Sequence, residues 1–206
     1  MASTIFRASA AAGTPRAQSK ALRRLAILQS ATHLFAQHGY TRVSLEDIGA
    51  AVGVSGPAVY RHFATKQALL GSILLHASTH LLHGGENVIA TTPRPEEQLR
   101  ALIDFHVDFA VTDPDVIRVH DRELSNLTAD DHRTVRHLQR AYVEHWVDVL
   151  CLLHPEPSRT EQRMRAHATF GLINSTPHSL QALAEKPSDM LTRTTLARMA
   201  LAAVRG

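Results

Sequence analysis

Apolar residues recur along this chain at intervals of three and four residues, and no other property of the sequence limits the possible folds so strongly. This spacing places apolar side chains along one face of an α-helix. Residues 18–38 show it first, with Leu28, Ala31 and Phe35 on one face, and Gly39 follows as a residue that can end a helix. Alternating apolar runs are few, and the sequence has no Asn-Gly or Asp-Gly hairpin turn. We therefore predict an all-α fold.

The same period predicts a series of further helices. They span residues 45–52, 58–63, 66–83, 95–111, 115–125, 130–153, 158–175 and 188–204. The breaks between the later helices coincide with glycine and proline residues, which favour turns. Three of these predicted breaks are HGGEN at 83–87, TPHS at 176–179 and EKPSD at 185–189.

Charge is distributed unevenly along the 206 residues. The total of 22 Lys and Arg against 19 Asp and Glu leaves a net charge of only +3, which does not by itself indicate a polyanionic partner. Residues 1–24, however, hold five cations and no acid. We interpret residues 1–17 as a disordered basic arm of the kind that lies along phosphates, with a solvated tail as the alternative.

Cysteine usage and hydropathy indicate the compartment. The single cysteine, Cys151, excludes an internal disulfide and favours a reducing environment. No apolar run approaches the roughly 18 residues of a membrane span, and the N-terminal residues lack the apolar core of a secretion signal. We expect a cytoplasmic protein without a membrane partner.

Residues 44–63 are predicted to form two short helices joined by a tight turn. Ser44 is a good N-cap, and Asp47 follows three residues later, as in a capping box. Gly53 ends this helix, Ser55 can cap a second, and Pro57 falls in a first turn where its missing N–H costs nothing. Two helices joined in this way form a helix-turn-helix, whose second helix enters the major groove of DNA.

Double-stranded operator DNA is therefore the predicted partner of this region. Small residues at the start of the second helix are expected nearest the bases: Ser55, Gly56, Pro57 and Ala58. Polar residues around the two helices are expected to reach phosphates or to add specificity: Lys20, Thr41, Arg42, Ser44, Tyr60, Arg61, His62 and Lys66. Phe63 is expected to lie in the core instead.

The segment from Leu25 to Leu75 resembles the DNA-binding domain of the TetR family of bacterial repressors. The matching features are Phe-Ala before Gly39-Tyr40, Asp47-Ile48, Gly53-Val54-Ser55, and Tyr60-Arg61-His62-Phe63 followed by Lys66 and Leu69. Two departures are that Gly49 stands where the family usually has alanine, and that small side chains begin the second helix. The second departure leaves the operator sequence undetermined.

The resemblance implies a three-helix N-terminal helix-turn-helix DNA-binding domain and a larger C-terminal helical domain that binds a ligand and dimerises. On this basis we predict a basic arm at 1–17, a DNA-binding domain at 18–65 and a ligand-binding and dimerisation domain at 66–206. The homodimer is expected to form through apolar stripes on the last two helices. These stripes contain Met164, Ala168 and Leu172 in one helix, and Met190, Thr194, Ala197, Leu201 and Val204 in the other.

Two pairs of aromatic residues, Phe105 with Phe109 and Tyr142 with Trp146, are each separated by one helical turn. They are candidates for lining an effector pocket. Ordinary packing in the core is the alternative interpretation. The predicted effector-binding residues are Phe105, His106, Phe109, His120, Arg122, Tyr142, Trp146, Phe170 and Asn174. The segment 120–150 also resembles regulators of an actinobacterial type, some of which are linked to fatty-acid or acyl-CoA metabolism. We expect an apolar or acyl-CoA-like effector, with Arg118, Arg122 and Arg140 as partners of an anionic end.

Two other classes of function, a metal sensor and an enzyme, have sequence signatures of their own. His76, His80 and His83 lie on one face of a predicted helix with spacing suited to nitrogen ligands, so a metal-sensing regulator is an alternative. An enzyme is not expected, because the sequence contains no nucleophile elbow, HExxH helix or phosphate-binding glycine loop. No cofactor is predicted.

Overall fold

The computed structural model describes residues 5–6, 14–180 and 183–205. Every regular element in these residues is helical, and the all-α prediction is confirmed. The helices are α1 (Pro15–His38), α2 (Leu45–Ala51), α3 (Gly56–Tyr60), α4 (Lys66–Thr91), α5 (Pro95–Thr112), α6 (Pro114–Glu123), α7 (Ala129–Leu153), α8 (Arg159–Asn174), α9 (Thr176–Ser179) and α10 (Asp189–Arg205). A 3-10 turn at Leu124–Asn126 joins α6 to α7. No helix within the described ranges is long and apolar enough to cross a membrane.

The chain packs as two compact units. The N-terminal unit contains Met1–Ala77 and Asp115–Val135, and the C-terminal unit contains Ser78–Pro114 and Arg136–Gly206. The functional boundary predicted at residue 65 stays a prediction, because the packing divides the chain at other points. In particular, α6 and the first residues of α7 pack in the N-terminal unit.

The core of the N-terminal unit forms where the apolar faces of the first helices meet. Leu28 and Phe35 of α1, Ile48 of α2 and Val59 of α3 are completely buried there. Phe63 is also buried, which confirms its predicted place in the core. Burying these side chains provides the main stabilisation of the unit, since each contributes about 1.5–3 kcal/mol.

Helix α1 begins before the predicted start at residue 18. Thr14 is its N-cap and accepts a hydrogen bond from the backbone N–H of Ala17, while Pro15 occupies the first turn. The predicted disordered arm is therefore wrong for residues 14–17, and residues 1–4 and 7–13 of the arm lie outside the described residues. Ile5 and Phe6 are buried, and the ring of Phe6 lies 6.2 Å from that of His76.

The predicted break at HGGEN is wrong, because α4 continues through Gly84 and Gly85 to Thr91. A Cβ atom on Gly84 would overlap the ring of Phe105, and one on Gly85 would lie 2.8 Å from the ring of Tyr142. The glycines thus allow α4 to approach aromatic rings of α5 and α7. Each glycine costs a helix about 1 kcal/mol relative to alanine, and the close packing offsets that cost.

In the C-terminal unit α10 packs against both α5 and α8. One member of the predicted dimer stripe, Val204, is buried within the chain. Ala197 and Leu201 are half-buried and line a groove with Ile103 of α5, and their part in a dimer stays a prediction. A second correction concerns TPHS, predicted as a break, which forms the short helix α9.

Candidate functional site

The turn between α2 and α3 is built by local capping. Ser44 and Asp47 form the predicted capping box, in which each backbone N–H donates to the other residue's side chain at 2.9 Å and 3.0 Å. The backbone N–H and hydroxyl of Ser44 lower the pKa of Asp47. Gly53 then takes the left-handed conformation, with φ of 69°, that lets the chain reverse into α3. Since the Ser44 hydroxyl also donates to Asp47, the structure assigns it to the cap.

Helix α3 is shorter than predicted and ends at Tyr60. The backbone N–H of His62 bonds to the Val59 carbonyl at 2.8 Å, a 3-10 spacing that tightens the chain after the helix. The side chain of Tyr60 is 49% exposed. The other predicted contacts that face solvent are Thr41, Arg42, Ser55, Pro57 and Arg61, whereas Gly56, Ala58 and His62 are half-buried.

A cationic cleft lies between α1 and the segment that follows α3. It has a volume of about 680 Å³ and is lined by Arg16, Ser19, Lys20, Arg23, Arg61 and His62. The sequence analysis placed three of these lining residues at DNA. Arg16 and Arg23 belong to the cationic segment 1–24, and only Ser19 was not predicted near phosphate. Together with Lys20 these three residues have the spacing of one helical face. A helix that begins at the N-cap signal of Thr14 and Pro15 contains all four of these residues on one face.

The pKa of His62 responds to the positive charges that line the cleft. Its pKa is lowered by burial and also by the positive charges of Lys20, Arg24, Arg61 and Arg23. The Nδ1 atom of His62 is buried and has no hydrogen-bond partner among the described residues. The several cations close to His62 indicate a surface where a negative charge is favourable.

Lys66 has a structural task that the sequence analysis did not predict. Its ammonium group donates to the carbonyls of Tyr40 at 2.8 Å and Val43 at 2.9 Å, and it lies 4.4 Å from the centre of the Tyr40 ring. A contact with the Thr41 carbonyl at 3.5 Å is longer. We therefore reassign Lys66 from phosphate contact to positioning the loop between α1 and α2.

Replacing Lys66 with methionine tests this reassignment. Lys66→Met keeps the length of the side chain but leaves partly buried carbonyls without a donor, so we expect the free energy of unfolding to fall by about 1–3 kcal/mol. Chemical denaturation followed by circular dichroism would measure the change. Lys20→Met, at an exposed lysine of the cleft, should change stability by less than about 0.5 kcal/mol. Unchanged stability in Lys66→Met would return Lys66 to the phosphate contacts.

Helix α6 holds the other side of this loop through residues whose contacts the sequence pattern did not predict. Glu123 is buried and accepts from the backbone N–H of Tyr40 at 3.1 Å and from the side chain of Asn126 at 2.8 Å. Arg122, a predicted effector contact, donates to the carbonyl of Ala36 at 3.2 Å. The contacts of Glu123 with Tyr40 and of Arg122 with Ala36 join residues more than 80 positions apart along the chain, so no local pattern predicts them.

An aromatic cluster forms the second candidate site, in the C-terminal unit. It contains His106 and Phe109 of α5, Tyr142 and Trp146 of α7, and Phe170 and Asn174 of α8. The structure thus brings together six of the nine predicted effector residues. Phe105 lies beside His80 and Gly84, while His120 and Arg122 belong to the N-terminal unit.

His106 is the polar centre of the aromatic cluster and is buried. Its Nδ1 atom lies 3.3 Å from the Tyr142 hydroxyl, and its Nε2 atom lies 3.1 Å from the side-chain oxygen of Asn174. A neutral imidazole satisfies both contacts when Nε2–H donates to Asn174 and Nδ1 accepts from Tyr142. Burial lowers the pKa of His106 to about 4, although the bond to Asn174 opposes the effect. Burial also raises the pKa of Tyr142 above its usual range.

This depressed pKa predicts an acid-sensitive C-terminal unit. The unfolded chain binds a proton at His106 near pH 6.5, whereas the folded chain does so only near pH 4. Stability from this group is therefore complete above pH 6.5 and is lost as the pH falls toward 4, by about 3 kcal/mol in total. Denaturation followed by Trp146 fluorescence should show this loss in the wild type and a smaller one in His106→Gln. Equal pH dependence in both proteins would contradict the assignment.

The predicted metal-binding histidines have other surroundings. Burial lowers the pKa of His76 and His80, which contact the rings of Phe6 and Phe105 respectively. In the part of the chain that the structure describes, no group of three or more His, Cys, Asp or Glu side chains could hold a metal ion. The surroundings of these histidines therefore give the metal-sensing alternative no support.

Comparison with known proteins assigns both parts of the chain to one family. Residues 27–73 match the family described as bacterial regulatory proteins, tetR family. Residues 92–178 match the tetracyclin repressor-like C-terminal domain. The first match includes α2 and α3, and the second includes all six residues of the aromatic cluster.

Individual relatives agree with this assignment. The transcriptional activator FasR of Mycolicibacterium smegmatis is 31% identical over 87 residues, which are 42% of this chain and 40% of FasR. The transcriptional repressor Rv3405c of Mycobacterium tuberculosis is 48% identical over 56 residues, 27% of this chain and 30% of the repressor. The chain thus spans less than half the length of either relative.

A solved structure extends the similarity to most of the chain. The TetR-family transcriptional regulator from Bordetella parapertussis superposes with a TM-score of 0.75 and 25% sequence identity, over 87% of this chain and 94% of that protein. Three findings point to the same family: the residues of the helix-turn-helix, the family matches to both parts of the chain, and this shared fold. The chain therefore belongs to the TetR family of bacterial regulatory proteins.

Proposed function

We propose that this protein is a ligand-responsive transcriptional regulator, which binds a palindromic operator as a homodimer and represses transcription until a small effector releases it. The observation that carries the proposal is the cationic cleft beside α3. Four of the six residues that line the cleft are Lys or Arg. DNA is a polyanion that such a surface can bind. Each phosphate that a Lys or Arg neutralises releases counterions, and this release favours binding.

The exposed residues of α2 and α3 supply the rest of the proposed interface. Thr41 and Arg42 precede α2, and Ser55 precedes α3 with a hydroxyl that makes no cap hydrogen bond. Tyr60 and Arg61 face solvent at the other end of α3. We assign the phosphate contacts to the cationic residues and Tyr60, and the base contacts to Ser55 and Pro57.

Exposed apolar side chains on the C-terminal helices support a homodimer. Met164 of α8 is 65% exposed and Met190 of α10 is 77% exposed, and Leu191 and Met199 of α10 are also exposed. Large apolar side chains grouped on a surface mark interaction sites. A dimer would also place two copies of α3 about 34–36 Å apart, the spacing that two half-sites of a palindrome require.

The aromatic cluster is the proposed effector site. A small molecule that binds one conformation of the dimer better than the other shifts the population between them, and a few kcal/mol of differential affinity is enough to empty the operator. Two of the three predicted partners of an acyl-CoA anion are engaged in the N-terminal unit: Arg118 binds Asp115 at 2.7 Å, and Arg122 binds the Ala36 carbonyl. The third, Arg140, is exposed on α7 and is not a member of the aromatic cluster. This favours an apolar effector.

A fluorescence anisotropy titration against the DNA flanking the gene tests the proposal. Measured at two salt concentrations, repressor binding should be tight and should weaken steeply as salt increases. Acyl-CoAs and neutral apolar compounds would then be added to the complex. Absence of salt-sensitive binding would contradict the DNA-binding proposal, and transcription in vitro would separate repression from activation.

A further inference from the structure

The indole of Trp146 carries a hydrogen-bond donor in the interior of the C-terminal unit. The residue is 0% exposed, and its Nε1 atom has no hydrogen-bond partner among the described residues. The indole N–H lies close enough to Tyr142 to lower the pKa of that hydroxyl, against the larger effect of burial, but the two groups form no hydrogen bond of normal geometry. A buried N–H without an acceptor costs about 1–3 kcal/mol, and such groups are rare in native proteins.

Phe170 packs against the indole ring that carries this donor. Its ring centre lies 4.8 Å from the ring of Trp146, 4.8 Å from that of His106 and 5.7 Å from that of Tyr142. Phe170 is half-buried, whereas the three rings it covers are buried. A planar ring that displaced Phe170 would keep the same edge and stacking contacts, which are the favoured geometries for aromatic pairs.

The polar groups of the cluster are all neutral. His106 is uncharged above about pH 4, Tyr142 keeps its proton, and Asn174 carries no charge. No Lys or Arg occurs among the six described members of the cluster. An anionic ligand buried here would lose its hydration without gaining a counter-charge, which is strongly unfavourable. A neutral ligand loses much less hydration free energy when it is buried.

We propose that the effector is a neutral ring compound with one hydrogen-bond-accepting oxygen, which displaces Phe170 and accepts the indole N–H of Trp146. This inference rests on the proposed function, since it names the class of effector for the same site. It selects against acyl thioesters of coenzyme A, whose phosphates carry negative charge. The ring supplies stacking, and the oxygen satisfies the buried donor.

Three probes with the same ring separate the possible ligand classes. Acetophenone offers a neutral carbonyl acceptor, benzoate offers an anion, and ethylbenzene offers no acceptor. Because Trp146 is the only tryptophan, its indole N–H gives a single resonance in a nitrogen-15 correlation spectrum. We expect acetophenone to move this resonance downfield and to bind about tenfold more tightly than ethylbenzene, the ratio expected for one buried hydrogen bond. Benzoate should bind most weakly.

Two variants make the result specific. Phe170→Ala opens the covering position and should bind acetophenone more tightly than the wild type, with Phe170→Leu as the milder variant if the alanine variant is unstable. Trp146→Phe keeps a ring but removes the donor, so acetophenone and ethylbenzene should then bind equally. These titrations contain no DNA, so their failure leaves operator binding, measured separately, unaffected.

Several outcomes would overturn the inference. Equal affinity of the wild type for acetophenone and ethylbenzene would show that the indole donor is not used. Tighter binding of benzoate would show that the site accepts an anion. Failure of all three probes to bind both the wild type and the Phe170 variants would show that the cluster is ordinary core.

Discussion

Replacing Gly84 with alanine should lower the free energy of unfolding by about 2 kcal/mol, although alanine is the better helix former. The added Cβ atom would overlap the Phe105 ring, which meets Gly84 end-on. That ring must therefore turn away, and its contact with the His80 ring, whose centre lies 5.6 Å away, would be lost. Chemical denaturation followed by the fluorescence of Trp146, which lies in the same unit, would measure the change.

Gly171 provides the matched control for this substitution. It also lies inside a helix, α8, but a Cβ atom placed there would meet nothing within 4 Å. Gly171→Ala should therefore raise stability, by up to about 1 kcal/mol. The loss at Gly84 should shrink when Phe105 is also replaced by alanine, because the two effects act through one contact. Stabilisation by both glycine substitutions would show that α4 does not approach Phe105 closely.

Reversing the charge of two residues in the cationic cleft should weaken operator binding by about 100-fold at low salt. Arg16→Glu with Lys20→Glu removes two cations from one face of α1 and adds repulsion toward phosphate. The slope of log affinity against log salt should also become shallower by about 3.6, since each phosphate contact contributes about 0.9 and the dimer loses two contacts in each protomer. Both side chains are exposed, so the fold should be retained.

The control for charge reversal uses the same change of net charge at another place. Arg136 and Arg140 are exposed arginines of α7, in the C-terminal unit. Replacing both with glutamate should reduce affinity only slightly, through the change of net charge. An equal loss of affinity in the two double variants would indicate a general charge effect and would remove the cleft from the DNA interface.

Features that depend on near neighbours in the chain could be predicted from the sequence. The apolar period identified the helices, and the Ser44–Asp47 capping box and Gly53 defined the turn between α2 and α3. Each of these signals is a contact or a backbone conformation within about four residues. The start of α1 could have been predicted in the same way, because Thr14 and Pro15 carry the N-cap signal.

Features that depend on distant partners were decided by the tertiary structure. Gly84 and Gly85 look like a break in isolation, but aromatic rings of α5 and α7 make them the residues that allow close packing. Lys66 looks like a phosphate contact, but carbonyls more than 20 residues earlier in the chain take its ammonium group. A glycine can end a helix or allow close packing, and a lysine can bind phosphate or backbone carbonyls. The sequence alone does not specify which partner the fold brings to each residue.

The aromatic cluster shows both levels in one site. The helical spacing of Tyr142 and Trp146 could be recognised as a shared face, and so could that of Phe105 and Phe109 on α5, although only Phe109 of that pair joins the cluster. Packing alone determined that Phe170 covers the indole and that Asn174 holds the His106 ring. The sequence therefore determined the helices, the helix-turn-helix and the residue types of the sites, because these follow from local period and capping. The tertiary structure decided which side chains are buried together, because burial and hydrogen bonding depend on residues far apart in the chain.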